Sequence, residues 1–216
     1  MKKAFAIGVL FVTGLSLVGI KTQAQGTIYI SNLDRQTTGS LSVGADARLA
    51  TWFRTGTAPS GYVLDSIQLA MDAPSGNPTG LRVMLWDFQR GESMADLTGL
   101  DPLSNGVFAY GTEGFMLSPS TVYWFVVTAA TPLSVGAFQW EHAATGNDTI
   151  GIDNWRQGAA YQTSLDGIEW DRTAHAGNLK FAVSATVVPE PSSLALVLCG
   201  GALWLAAQGR RTESVL

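Results

Sequence analysis

Cysteine is nearly absent from this chain, and the one present, Cys199, sits inside a carboxyl-terminal apolar run. Residues 25–188 therefore carry no disulfide and must be held by packing alone, although an oxidising compartment would permit bridges. Histidine is equally scarce. His142 and His175 are the only two, and neither lies in a zinc pattern such as H-E-x-x-H. There is no G-x-S-x-G nucleophile elbow and no phosphate-cradling P-loop. Basic residues are few between the ends: residues 25–188 hold 8 Lys and Arg against 15 Asp and Glu. Such a surface repels phosphate backbones and anionic lipid, which argues against a nucleic-acid partner and keeps an exported domain soluble. Long amphipathic helices are missing too. The only stretch of helical length is 90–100, and Gly91 and Gly99 weaken it.

What is present is a series of strand signals. Thr27-Ile28-Tyr29-Ile30 is β-branched and aromatic. Residues 62–71 alternate, with Val63, Ile67, Leu69 and Met71 expected on one face. Residues 81–88 alternate again, Leu81, Val83 and Leu85 opposing Arg82, Met84 and Trp86. Residues 121–128 are apolar on both faces, as in a central strand covered on either side. Segments 107–110, 138–140 and 179–187 are further candidate strands. Turn residues punctuate them at Ala58-Pro59-Ser60-Gly61, 74–80, Leu117-Ser118-Pro119 and Gly146-Asn147-Asp148. The pattern predicts an all-β domain, an antiparallel β-sandwich or jelly roll over 25–187, large enough to bury a real core. It is flanked by an N-terminal signal helix and a C-terminal apolar helix.

The two ends read as addresses. Lys2-Lys3 precede an apolar stretch over 4–20, and Thr22-Gln23-Ala24 offers the small residues a signal peptidase reads. Cleavage is expected between Ala24 and Gln25, making 1–24 a signal peptide; the alternative, given an apolar run long for such a signal, is an uncleaved N-terminal anchor. No cysteine follows the cut, which excludes a lipoprotein route. At the other end stand Val188-Pro189-Glu190-Pro191, an apolar run over 194–207, and the basic pair Arg210-Arg211. The prolines fix φ near −65° and push their predecessors out of helical conformation, so Glu190 is held on a short extended segment that a protease cleft could grip. Ser192 or Ser193 could then cap a helix. Fourteen apolar residues span about 21 Å, short of the roughly 30 Å of a hydrocarbon core even when the helix is extended to about 192–208. Such a span suits a transient stop, with Arg210 and Arg211 cytoplasmic. A permanent tail anchor is the alternative; a buried helix would be apolar on one stripe only.

This tail resembles the PEP-CTERM sorting signal, which combines Val-Pro-Glu-Pro, an apolar helix and a terminal basic cluster. The resemblance implies recognition and cleavage by an exosortase-type membrane protease within 188–211, in a Gram-negative producer with an exopolysaccharide-rich surface. The protein would then cross the inner membrane, be anchored there transiently, and end at the cell surface or in the extracellular matrix. A second resemblance covers most of 26–187. Ser31-Asn32-Leu33 with residues 39–44, Gly61 to Leu69, and Leu117 to Val127 are similar to the choice-of-anchor R domain, a module with which no enzymatic activity and no cofactor comes.

Candidate sites are few. Ser164-Leu165-Asp166-Gly167-Ile168-Glu169-Trp170 is similar to the Asp-box hairpin of secreted β proteins, with Glu169 where that motif usually has Thr. It predicts a tight turn at Asp166-Gly167 and Trp170 packing back on the strand. Of six tryptophans in the domain, Trp124 is expected in the core. Trp86, Trp140 and Trp155 lie near Asp87, Glu141 and Asp153, an aromatic-plus-carboxylate combination that suits carbohydrate contact; the alternative is that all fill a disulfide-free core. Asn147-Asp148-Thr149 and Asp153-Asn154 could supply oxygen ligands for Ca²⁺, but they lack EF-hand spacing and its glycine, so a solvated acidic loop and no metal is expected. A glycosidase needs only two carboxylates, so Glu141 with Glu169 or Asp153 is a conceivable dyad, although among 15 acids some pair always looks possible. The reading is a non-catalytic surface protein with a structural or adhesive role, or else a carbohydrate-binding module attached to exopolysaccharide; a polysaccharide-acting enzyme is the third.

Overall fold

A computed structural model describes residues 26–144 and 149–189, with the backbone alone for 172–176. Those residues form two antiparallel sheets and, apart from one 3-10 turn at Ile152–Asn154, no helix. Among the described residues no helix is long and apolar enough to cross a membrane. The expected all-β class holds. The segments expected to form the two terminal helices, with Ala24, Gln25, Glu190, Pro191, Arg210 and Arg211, lie outside the described residues, as do Asn147 and Asp148.

The first sheet is built on one long strand, β4 (Tyr62–Gly76). Along one edge it pairs with β16 (Phe181–Val187) and then with β10 (Gly136–Ala143). Along the other it pairs with β8 (Met116–Leu117) and β7 (Gly106–Gly111). β1 (Thr27–Ser31) lies outside β16, and β2 (Thr37–Val43) outside β10. The short β15 (Asn178–Leu179) pairs with the end of β10. In the second sheet β9 (Val122–Thr128) runs between β3 (Arg48–Arg54) and β5 (Arg82–Asp87). β6 (Glu92–Leu97) flanks β5, and β12 (Arg156–Gln157), β11 (Thr149–Ile150), β13 (Ala160–Ser164) and β14 (Asp171–Ala176) extend the sheet beyond β3. The stretch 90–100, the one helical candidate in the sequence, is thus mostly the strand β6.

The sheets share one core. Phe125 of β9 meets Phe181 of β16 at 4.9 Å and Trp140 of β10 at 5.8 Å between ring centroids. Strict alternation in β4 fails at one place. Opposite β16, Ser184 faces Ser66 but Ala185 faces Leu64, so Asp65 is an extra residue, a β-bulge. The bulge turns Tyr62 and Leu64 into the core together with Ile67, Leu69 and Met71, while Val63 is only half-buried. Alternation alone predicts Val63 inward, and the bulge is the reason it is not. Alternation in β5 holds: Val83 and Leu85 enter the shared core, whereas Met84 and Trp86 face away from it.

Polar clips fasten the periphery. Asn32 is fully buried, its amide donating to the Leu179 carbonyl (3.0 Å) while its oxygen accepts from the Phe181 amide (2.8 Å). The chain leaves the fold at Val188, whose amide donates to Gly61 (3.1 Å) and whose carbonyl accepts from Ser60 Oγ. Gly61 has φ +78°, and a Cβ there would lie 2.6 Å from the Leu117 carbonyl oxygen, so only glycine fits this turn.

Candidate functional site

The outer face of the second sheet, which a one-sided antiparallel sheet would leave polar, is aromatic instead. Register sets Trp52 of β3 opposite Trp124 of β9, and Trp124 opposite Trp86 of β5. Residues directly opposite share a face, so the three indoles form one row across adjacent strands. The neighbouring row is Ala50, Val126 and Met84, a small buried cluster on which Trp86, Phe88, Trp124 and Trp170 pack. All of these rings are half-buried.

The hairpin between β13 and β14 closes one side. Asp166 accepts from the amides of Ile168 (2.8 Å) and Glu169 (3.0 Å) and from Ser164 Oγ (3.2 Å). These backbone donors hold its carboxyl below the ordinary range. Gly167 takes φ +81°, and Trp170 returns to the sheet, its Nε1 donating to the Gly167 carbonyl and its ring 5.2 Å from Phe88. The turn and the returning Trp170 are as the Asp-box likeness predicts. The result is a hollow of about 480 Å³ bounded by Trp86, Phe88, Trp124, Trp170, Gln162 and Arg90. That volume falls among those of small-ligand sites.

Of the three tryptophans suggested for carbohydrate contact, only Trp86 is at this surface. Trp140 and Trp155 are 0% exposed. Trp140 packs on Phe125 and donates through Nε1 to the Lys180 carbonyl (2.9 Å). Trp155 is stacked between Tyr29 and Phe53, with Tyr62 against it edge-on. Both are core, which removes them as contacts. Trp124, expected in the core, instead faces outward into the hollow. Trp124, Trp170 and Phe88 are the members that sequence reasoning missed. The alternation of β9 holds a signal for Trp124: it shares parity with Val126, opposite to Tyr123, Phe125 and Val127.

The acidic candidates have separate duties. Glu141 accepts from Thr37 Oγ1 (2.6 Å) and pairs with Lys180 Nζ (3.0 Å). Burial pushes the Glu141 carboxyl up, but the hydrogen bonds from Thr37 and Lys180 and the Lys180 charge more than offset this, leaving it below the ordinary range. Asp153 accepts from Tyr62 Oη and from the amide and hydroxyl of Thr57. The Tyr62 hydrogen bond is the main reason its carboxyl is held low. Glu169 stands exposed on the hairpin of the other sheet. Among the described residues no three His, Cys, Asp or Glu side chains gather as a metal site would require.

Val188 and Pro189, the described half of the tail motif, follow β16 directly and lie outside any strand. The chain matches no protein-family model, no curated protein and no solved structure.

Proposed function

We propose that this is an exported surface or extracellular-matrix protein whose non-catalytic β-sandwich or jelly-roll domain, flanked by two terminal helices, has a structural or adhesive role. It is delivered by signal peptidase at Ala24–Gln25 and by an exosortase-type membrane protease acting at the Val188-Pro189-Glu190-Pro191 motif, with the inner membrane engaged only transiently. The observation that carries this reading is the way the strands end. The first begins at Thr27, opposite Ala185, and the last ends at Val187, with Val188 tied back to the Ser60–Gly61 turn. The described strands thus all lie between the two processing points, and cutting at either would break none of them. Mass spectrometry of the protein recovered from producing cells tests the proposal. A carboxyl terminus near Pro191 is expected; an intact Leu216 in cells that possess such a protease would overturn it.

A second reading, a carbohydrate-binding module that attaches to exopolysaccharide, is favoured by the aromatic hollow on the second sheet. An exported domain gains nothing in solubility from half-buried indoles on an outer face, whereas indole faces beside polar groups suit sugar rings.

A further inference from the structure

We infer that the outer face of the second sheet binds a neutral, unbranched polysaccharide lengthwise, stacking successive pyranose rings on Trp86, Trp124 and Trp170. The inference rests on the carbohydrate-binding reading and is independent of tail processing.

Length comes first. The 480 Å³ hollow does not stand alone. A second of about 470 Å³ shares its Trp86, Phe88 and Trp124 and continues past Met94. Two hollows with a common aromatic wall form a track, which fits a chain of repeating units better than one compact ligand.

Ring geometry comes next. Phe88 meets Trp124 and Trp170 tilted at 63° and 66°, not stacked. The core tryptophan Trp155, by contrast, has both faces occupied by stacked rings. The outer indoles therefore keep aromatic surface for a ligand. A pyranose offers a C–H face that the electron-rich π surface attracts, and hydroxyls around its rim. Polar groups for those hydroxyls border the same hollow in Gln162 and Arg90. The hairpin tip carries Ile168 and Leu165 at 82% and 78% exposure, apolar side chains at the rim of the track.

Charge selects the class of polymer. Among the described side chains Arg90 is the one cation lining the central hollow, and Asp87 (3.6 Å) and Glu92 (3.9 Å) offset it. Those side chains leave no net positive charge to hold a uronate or sulfated chain, and the acidic excess of the domain repels one.

The test uses the full chain in mild detergent, titrated calorimetrically and by tryptophan emission with cellohexaose, xylohexaose and mannohexaose, and with hexagalacturonate as the charged comparator. At least one neutral hexasaccharide should bind with an emission shift and about tenfold more tightly than its disaccharide, while hexagalacturonate does not bind. Trp170→Ala and Trp86→Ala should each weaken binding about tenfold. Trp170→Phe, which keeps a ring and guards against misfolding, should weaken it less, and Leu103→Ala, an exposed site outside the track, should leave it unchanged. The inference is overturned if no neutral hexasaccharide binds, if the tryptophan variants bind as well as the parent, or if hexagalacturonate binds as tightly. It is also overturned if sedimentation finds a dimer that Trp170→Ala abolishes, since the face would then belong to a second copy. Because the tail stays attached, failure of sugar binding is distinct from failure of the sorting proposal.

Discussion

At the scale of single residues, the domain replaces covalent cross-links with buried polar clips. Lys180 is 7% and Glu141 19% exposed at the side chain, and Thr37 bridges them from β2. A pair this withdrawn from water is costly to break, because removing one partner leaves a charge without its counterion. Glu141→Gln should therefore cost about 3 kcal/mol near neutral pH. The pH dependence follows from the direction of the Glu141 shift. Its carboxyl is held below the ordinary range in the folded state, so the stabilisation is full above the unfolded carboxylate pKa. It is lost as pH falls through the lower folded value. The gap in urea midpoint between parent and Glu141→Gln should thus be widest at roughly pH 6–7 and narrow steadily below the ordinary carboxylate range. A gap that stays constant down to acid denaturation would mean that Glu141 stabilises through shape alone.

At the scale of elements, most strands were legible because period-two alternation and turn residues mark them directly. β4 was legible over its first ten residues but not in phase, and its last five, 72–76, run into the stretch whose Pro, Gly and Asn predict a turn. Reading Val63, Ile67, Leu69 and Met71 as one face also sends Asp65 inward, a carboxylate in an apolar core, and that conflict was the visible trace of the bulge. The structure resolves it by giving Asp65 no opposite partner and letting it accept from Thr186 Oγ1 (3.0 Å). Strands β2 and β3 were harder to read. β2 is rich in Thr, Ser and Gly, and β3 begins and ends in Arg while burying most of the residues between. The bulge makes a specific prediction. Leu64→Ala opens a cavity under a fully buried side chain and should cost about 3 kcal/mol. Val63→Ala, on the half-buried face, should cost about 1 kcal/mol or less. Urea denaturation at unchanged m-value checks both, and the reverse ranking would refute the register.

At the scale of the whole molecule, local sequence carried the fold class but not which aromatics would remain at the surface. Proximity to an acidic neighbour put Trp86, Trp140 and Trp155 in one group, yet burial depends on which sheet face a residue joins and what covers it. Trp140 and Trp155 are enclosed by residues distant in sequence, such as Lys180 and Tyr29. Trp124 and Trp170 line one hollow, each against Phe88, only because β9 and the β13–β14 hairpin converge on one face. Global pairing also determines how the body is joined to its ends. β16 lies between β1 and β4, so it is interior to the first sheet, and Thr27 pairs with Ala185 close to where Val188 departs. The chain therefore enters and leaves at one pole, and a pull on the tail acts on an interior strand. If the ladder between Thr27 and Val187 supplies the stability, a chain ending after Pro189 should unfold within about 1 kcal/mol of the full chain, a shift of at most about 4 °C in Tm for a domain of this size. Ending it after Ser184 removes three β16 pairings with β4 and the Val188 contacts at Ser60 and Gly61, and should cost several times as much. Parallel melts of the three lengths in one detergent decide the matter. A large loss on removing 190–216 alone would make the tail part of the fold, and no longer a handle that a protease could discard.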